Sequence, residues 1–214
     1  MKIPSSTKAV LFDMDGVLFN TEDLAHKVFS SLSKKFDYPF QEQDHKAILG
    51  SSEDFWSHYM IDRLKTDVTA AQFASLFWNE LQIEANQHLN LMPGVLNCFQ
   101  VINQIGLKKC LVSSSHRLYI EKLLNKFEIL DQFDFIVAGE DTKHGKPSPE
   151  PYLLAVELLQ LSENQCSVIE DSLNGVHSAK LAGCHVIAVP TVHSIGIDYS
   201  EADIVINNLD DIKM

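Results

Sequence analysis

Six short apolar runs recur along the chain: 9–12 (AVLF), 109–112 (KCLV), 135–138 (FIVA), 167–169 (SVI), 185–189 (HVIAV) and 204–206 (IVI). They are continuous rather than alternating, the pattern of strands covered on both faces of a parallel sheet. Helical stripes separate most of them. Ile120, Leu123, Leu124 and Phe127 recur at i, i+3, i+4 and i+7, and Leu154, Ala155, Leu158 and Leu159 make a second stripe. Strand and helix in alternation build βαβ units and a doubly wound sheet.

The spacing breaks once. About 95 residues separate the first run from the second, and that stretch holds no convincing strand. It holds helical stripes instead: Leu24, Val28, Leu32 and Phe36, then Phe73, Phe77 and Leu81. Asn20 or Thr21 suits the cap of the first helix. Phe55, Trp56 and Trp78 are expected to pack between these helices. The expected fold class is therefore α/β, a doubly wound parallel Rossmann-like core (1–18 and 88–214) with an inserted α-helical cap subdomain (19–87). An insertion at this point hangs over the carboxyl ends of the strands, where open α/β sheets bind ligands.

Composition narrows the function. Formal net charge is −12, and Arg63 and Arg117 are the only arginines. Such a surface repels nucleic acid. An anionic small molecule could bind only beside concentrated positive charge, such as a metal ion or a placed lysine. Cys98, Cys110, Cys166 and Cys184 are scattered and form no CxxC pair. They read as reduced thiols in a cytoplasmic protein. No apolar run approaches the roughly 20 residues of a membrane span, and the start carries no signal-peptide cleavage pattern.

Four polar segments follow predicted strands, so they converge on one sheet edge. In FDMDG, Asp13 and Asp15 stand at i and i+2 and face one side of an extended chain, and Gly16 permits a sharp turn. Paired carboxylates repel and need a cation or a shared proton. The plain alternative is a solvated turn. In LVSSSHR (111–117), hydroxyls and free amides before a helix suit a phosphate, or simply cap that helix. In HGKPSPEPY (144–152), Lys146 sits in a rigid Gly/Pro context and either points inward or is an ordinary loop lysine. In VIEDS (168–172), Glu170 and Asp171 at a strand tip could complete an oxygen-only site for a hard cation such as Mg2+, or merely favour a helix dipole.

Taken in this order, the segments resemble the haloacid dehalogenase superfamily across essentially the whole chain. DMDGV is similar to its DxDGx motif, Ser113 to its second-motif Ser/Thr, Lys146 to its third-motif lysine and EDS at 170–172 to its acidic fourth motif. The helical insertion resembles the small cap of the branch that includes β-phosphoglucomutase and many sugar-phosphate phosphatases.

The resemblance implies an enzyme in which Asp13 attacks phosphorus and Asp15 serves as acid and base. It implies Mg2+ held by Asp13, the Asp15 backbone carbonyl and Asp171, with Glu170 direct or through water. Ser113, the Ser114 amide and Lys146 would hold the phosphoryl group. A second Asp argues against dehalogenation. The expected activity is hydrolysis of a small phosphorylated metabolite, with no nucleic acid or membrane partner, by a monomer. A sugar phosphomutase is the alternative, weakened because Glu53 stands near the place of the mutase cap arginine and Ala25 near that of its cap histidine. A non-catalytic phosphometabolite-binding protein is the alternative of another class. His116 is a candidate at the cleft border, and His144 reads as structural.

Overall fold

A computed structural model describes residues 3–49, 51, 53–194 and 196–213. Gly50 and Ser52, close in sequence to Glu53, lie outside them. Strands β1 (Ala9–Phe12), β2 (Lys108–Val112), β3 (Phe135–Val137), β4 (Cys166–Glu170), β5 (His185–Ala188) and β6 (Ile204–Val205) form one sheet in the order β3-β2-β1-β4-β5-β6. Every pairing is parallel. Among the described residues there are eight α-helices: α1 (Thr21–Lys34), α2 (Glu42–Ile48), α3 (Glu53–Leu64), α4 (Ala70–His88), α5 (Val95–Gln104), α6 (Arg117–Lys126), α7 (Glu150–Leu159) and α8 (Leu173–Leu181). Among the described residues no helix is long and apolar enough to cross a membrane.

The chain divides into two compact units, one of residues 1–19, 91–191 and 195–214, the other of residues 20–90 and 192–194. In the first, β1 lies at the centre with all four side chains buried. Alternation decides what each face meets. Ala9 and Leu11 join a core with Cys110, Val112, Val168 and Val186, and α7 and α8 add Tyr152, Ala155, Leu159 and Ala179. Phe12 points to the opposite face. Its ring meets Phe99 of α5 at 5.4 Å and Phe133 at 6.2 Å, both edge-on. Edge-to-face pairs of this kind add about 0.5–1.5 kcal/mol each beyond burial. Helices thus cover both faces, as the continuous apolar runs require.

Register aligns the strand ends. Phe12 lies opposite Leu111 of β2 and Ile169 of β4. The ladder continues one residue further, with Asp13 N–H donating to Ile169 O at 3.0 Å and Ser113 N–H to Val137 O at 3.0 Å. Asp13, Ser113 and Glu170 therefore stand along one carboxyl edge.

The second unit is built from α1–α4 around Phe29. Its ring stacks on Phe77 at 4.3 Å and meets Trp56 at 5.4 Å. Trp56 is buried as expected, but Phe55 is 50% and Trp78 42% exposed. Phe55 stacks on Tyr59 of its own helix, whereas Trp78 does pack between α3 and α4, its ring edge-on to Trp56 at 6.3 Å and its indole donating to Glu53 Oε2 at 2.6 Å. Asn20 precedes α1 but makes no side-chain cap. Its Oδ1 instead accepts from Asn90 N–H at 2.7 Å, and its own N–H donates to Asn90 O at 3.1 Å.

Asp44 organises α2 and α3. Its buried carboxylate accepts from Gln41 N–H (2.9 Å), Tyr38 hydroxyl (2.9 Å), Tyr59 hydroxyl (3.2 Å) and Arg63 Nε (2.9 Å). Removing it strands several donors, although Arg63 keeps partial access to water. Asp44→Ala should lower stability by about 2–3 kcal/mol, read as a lower urea midpoint. Burial alone would raise the Asp44 carboxyl, but the donors outweigh it and hold its pKa below the ordinary 3.8. The stabilisation is therefore fully present above about pH 4 and fades as pH falls through the depressed value. The wild-type advantage over Asp44→Ala should shrink in that acid range.

Candidate active site

At the tip of β1 the Asp13 side chain is buried. Lys146 Nζ donates to Asp13 Oδ1 at 2.5 Å, to Glu170 Oε1 at 2.7 Å and to Val112 O at 3.2 Å. An ammonium has three donors, and all three are used. Lys146 is thus no ordinary loop lysine, since its side chain is only 7% exposed. Its loop is held locally: Glu150 accepts from Lys143 N–H (2.7 Å) and His144 N–H (3.0 Å), and Ser178 Oγ donates to Ser148 O at 2.5 Å.

Glu170 is completely buried. Oε2 accepts from Asp171 N–H (3.0 Å), Ser172 N–H (3.1 Å) and Ser172 Oγ (3.1 Å). Oε1 accepts from Lys146 and from the Tyr152 hydroxyl, the latter at 2.8 Å. Ser172 also caps α8, accepting from Gly175 N–H at 3.0 Å. A Cβ on Gly175 would lie 1.7 Å from Glu170 Oε1. This glycine makes room for a carboxylate, a tighter demand than general helix packing.

Asp171 stands on the other side. Its backbone carbonyl accepts from the Tyr199 hydroxyl. Gly16 turns the chain after Asp15 with φ +73°, and a Cβ there would lie 1.9 Å from Asp171 Oδ2. Both the backbone angle and the close approach require glycine. One oxygen each from Asp13, Glu170 and Asp171 lie within 4.8 Å of one another. When ionised, these carboxylates outnumber the one ammonium, and a divalent cation would offset the excess negative charge. An oxygen-only donor set suits a hard ion, so the residues fit the Mg2+ that the family uses.

Electrostatics agrees with this need. Burial pushes the Asp13 carboxyl up to about 8, Lys146 opposes it, and the charges of Glu170 and Asp15 add to the rise. Burial by itself would lower the Lys146 ammonium, but Asp13 and Glu170 outweigh it and hold it above its ordinary value. Positive charge delivered beside Asp13 would restore its ionised form.

The remaining expected residues are placed as follows. Asp15 is partly exposed two residues beyond Asp13, separated from it by the buried Met14. Ser113 is buried and its Oγ accepts from Ser115 N–H at 3.1 Å. Ser114 is exposed, and Gly139 packs so close to its carbonyl that a Cβ would lie 2.4 Å away. Neither Ser114 nor Ser115 caps α6, whose cap residue is His116. His116 is exposed with Nδ1 3.5 Å from Glu140 Oε2, and His144 Nδ1 pairs with Glu150 Oε2 at 3.0 Å. Tyr152, Tyr199, Gly139 and Glu150 were not singled out from sequence. Tyr152 had a signal: it interrupts an otherwise aliphatic buried stripe, where a phenol needs a partner.

The model for haloacid dehalogenase-like hydrolases matches residues 10–189, and the chain belongs to that family. A phosphorylated carbohydrates phosphatase from Thermotoga maritima is 31% identical over 188 residues, covering 88% of this chain and 87% of that protein. Hexitol phosphatase A from Escherichia coli is 28% identical over 209 residues, covering 97% and 94%. The structure of CbbY from Rhodobacter sphaeroides in complex with phosphate shares the fold, with TM-score 0.77 and 24% identity over 95% of each chain.

Proposed function

We propose that this chain is a Mg2+-dependent phosphatase that hydrolyses a small phosphomonoester, such as a sugar phosphate or nucleotide, through an aspartyl-phosphate on Asp13. The observation that carries this reading is Asp13 at the tip of the central strand, buried, 2.5 Å from Lys146 and beside Glu170 and Asp171. Relatives that are named as phosphatases of phosphorylated carbohydrates and hexitols support it.

In the first step an Asp13 oxygen attacks phosphorus and the ester P–O bond breaks. Asp15 gives its proton to the departing alcohol oxygen. In the second, water attacks phosphorus, Asp15 takes a water proton, and the bond to Asp13 breaks to release phosphate. Ser113, the Ser114 amide and Lys146 would hold the phosphoryl oxygens through both steps. Asp13, Asp171, the Asp15 backbone carbonyl and Glu170, directly or through water, would hold Mg2+. When bound, the ion supplies the charge neutralisation that lets an anionic nucleophile meet an anionic ester. We assign substrate choice to the helical unit of residues 20–90 and place the protein in the cytoplasm as a monomer, in keeping with four buried free thiols.

Glu53, near the place of the mutase arginine, is a carboxylate paired with Trp78. It would repel a second phosphate, which favours hydrolysis over mutase chemistry. Purified protein should release phosphate from p-nitrophenyl phosphate with Mg2+ and stop in EDTA, and a panel of phosphometabolites should contain faster substrates. Inactivity on every compound would overturn the enzymatic reading and restore the binding-protein alternative. Conversion of a sugar 1-phosphate to its 6-phosphate, faster than phosphate release, would favour the mutase.

A further inference from the structure

Tyr152 is completely buried on α7 within the apolar core. A phenylalanine would fill the same volume without a hydroxyl to satisfy, and burying a phenol there is unfavourable unless it is bonded. The hydroxyl is bonded, and to one particular atom. It donates at 2.8 Å to Glu170 Oε1, the oxygen that also accepts from Lys146 at 2.7 Å. The Tyr152 ring lies 5.1 Å from Lys146 Nζ, within cation–π reach. One side chain thus touches both the lysine and the acid that competes with Asp13 for it. The other Glu170 oxygen cannot relieve the competition, because the turn at residues 171–172 already holds it with three donors.

From this geometry we infer that the Tyr152 hydroxyl is a positioning group. By sharing Glu170 Oε1 it keeps the Lys146 ammonium divided between Glu170 and Asp13, available to the phosphoryl group that Asp13 attacks. Without the hydroxyl, Lys146 is the sole donor to Oε1 and closes on Glu170. Tyr152 acts through Lys146 and touches no substrate. The inference rests on the phosphatase reading of the site.

The test is a double-mutant cycle on p-nitrophenyl phosphate with saturating Mg2+, comparing wild type, Tyr152→Phe, Lys146→Met and the double variant. Tyr152→Phe should lower kcat/KM by about 10-fold and raise the inhibition constant of inorganic phosphate by a similar factor. In the Lys146→Met background it should change neither. A structural role would give the same loss in both backgrounds, and that result, or no loss in either, overturns the inference. If Lys146→Met does not fold or is too slow to measure, Glu170→Gln takes its corner, with the same expected disappearance of the Tyr152 effect. A wild-type protein that hydrolyses no phosphomonoester overturns the phosphatase reading and this inference with it. An active wild type with additive losses overturns this inference alone.

Discussion

If Asp13 is the proposed nucleophile, Asp13→Asn should reduce kcat for p-nitrophenyl phosphate by about 10^4-fold or more, because a neutral amide is too weak a nucleophile to replace the carboxylate. The amide keeps the shape of the carboxylate, and its oxygen still accepts from Lys146. The variant should also be no less stable than wild type without metal. Burial pushes the Asp13 carboxyl up to about 8, so a charge at this position is costly there, and a neutral amide removes that cost. Lost activity with retained stability separates a chemical role from a structural one. Robust hydrolysis by Asp13→Asn, or unfolding of it, would contradict the assignment. In wild type, rapid quench should trap phosphate covalently on this residue and not on Asp15.

Lys146→Met should lose stability as well as activity. The thioether fills most of the space, but Asp13 and Glu170 lose the ammonium that lies 2.5 Å and 2.7 Å from them. Breaking a buried pair from one side typically costs about 3–5 kcal/mol, since the remaining charge is left uncompensated. Urea unfolding in EDTA should show that loss, and Mg2+ should recover part of it by replacing positive charge near Asp13. The rate with Mg2+ should fall by about 10^2 to 10^3, the effect of removing one donor to the transition state. Unchanged stability in EDTA would mean that the ammonium does not sit between the acids.

The sheet was largely legible because a strand buried on both faces has to be apolar throughout. Even so, β3, β5 and β6 each end one residue short of their apolar runs. Ala138 leaves β3 because its N–H donates to Asp141 Oδ2 at 2.8 Å and opens a turn. Asp13, Ser113, Glu170 and Asp171 could be grouped from sequence because each stands at or just past the end of a strand, and parallel register brings such positions together; Lys146 lies well beyond β3 and reaches Asp13 and Glu170 through its loop. What stayed hidden depends on approach between distant segments. Gly175 looks like any helix glycine until the Glu170 carboxylate is placed against it. Trp78 packs on Trp56 as its residue type suggests, but its indole also reaches Glu53, 25 residues earlier, and stays half-exposed. Asn20 looks like a helix cap, but its side chain serves Asn90.

That last pairing has a consequence for how such a chain diversifies. Residues 20–90 begin and end on two asparagines bonded to each other, and just before them Phe19 is bridged antiparallel to Leu91. From the side of the sheet, everything between is therefore equivalent to the tip of a tight hairpin. The entropy of closing so long an excursion is met by bonds at its own neck, and loop closure grows only slowly with length. Such a segment is an exchangeable cassette: its sequence and size can change while β1, and the aspartate at its tip, keep their register.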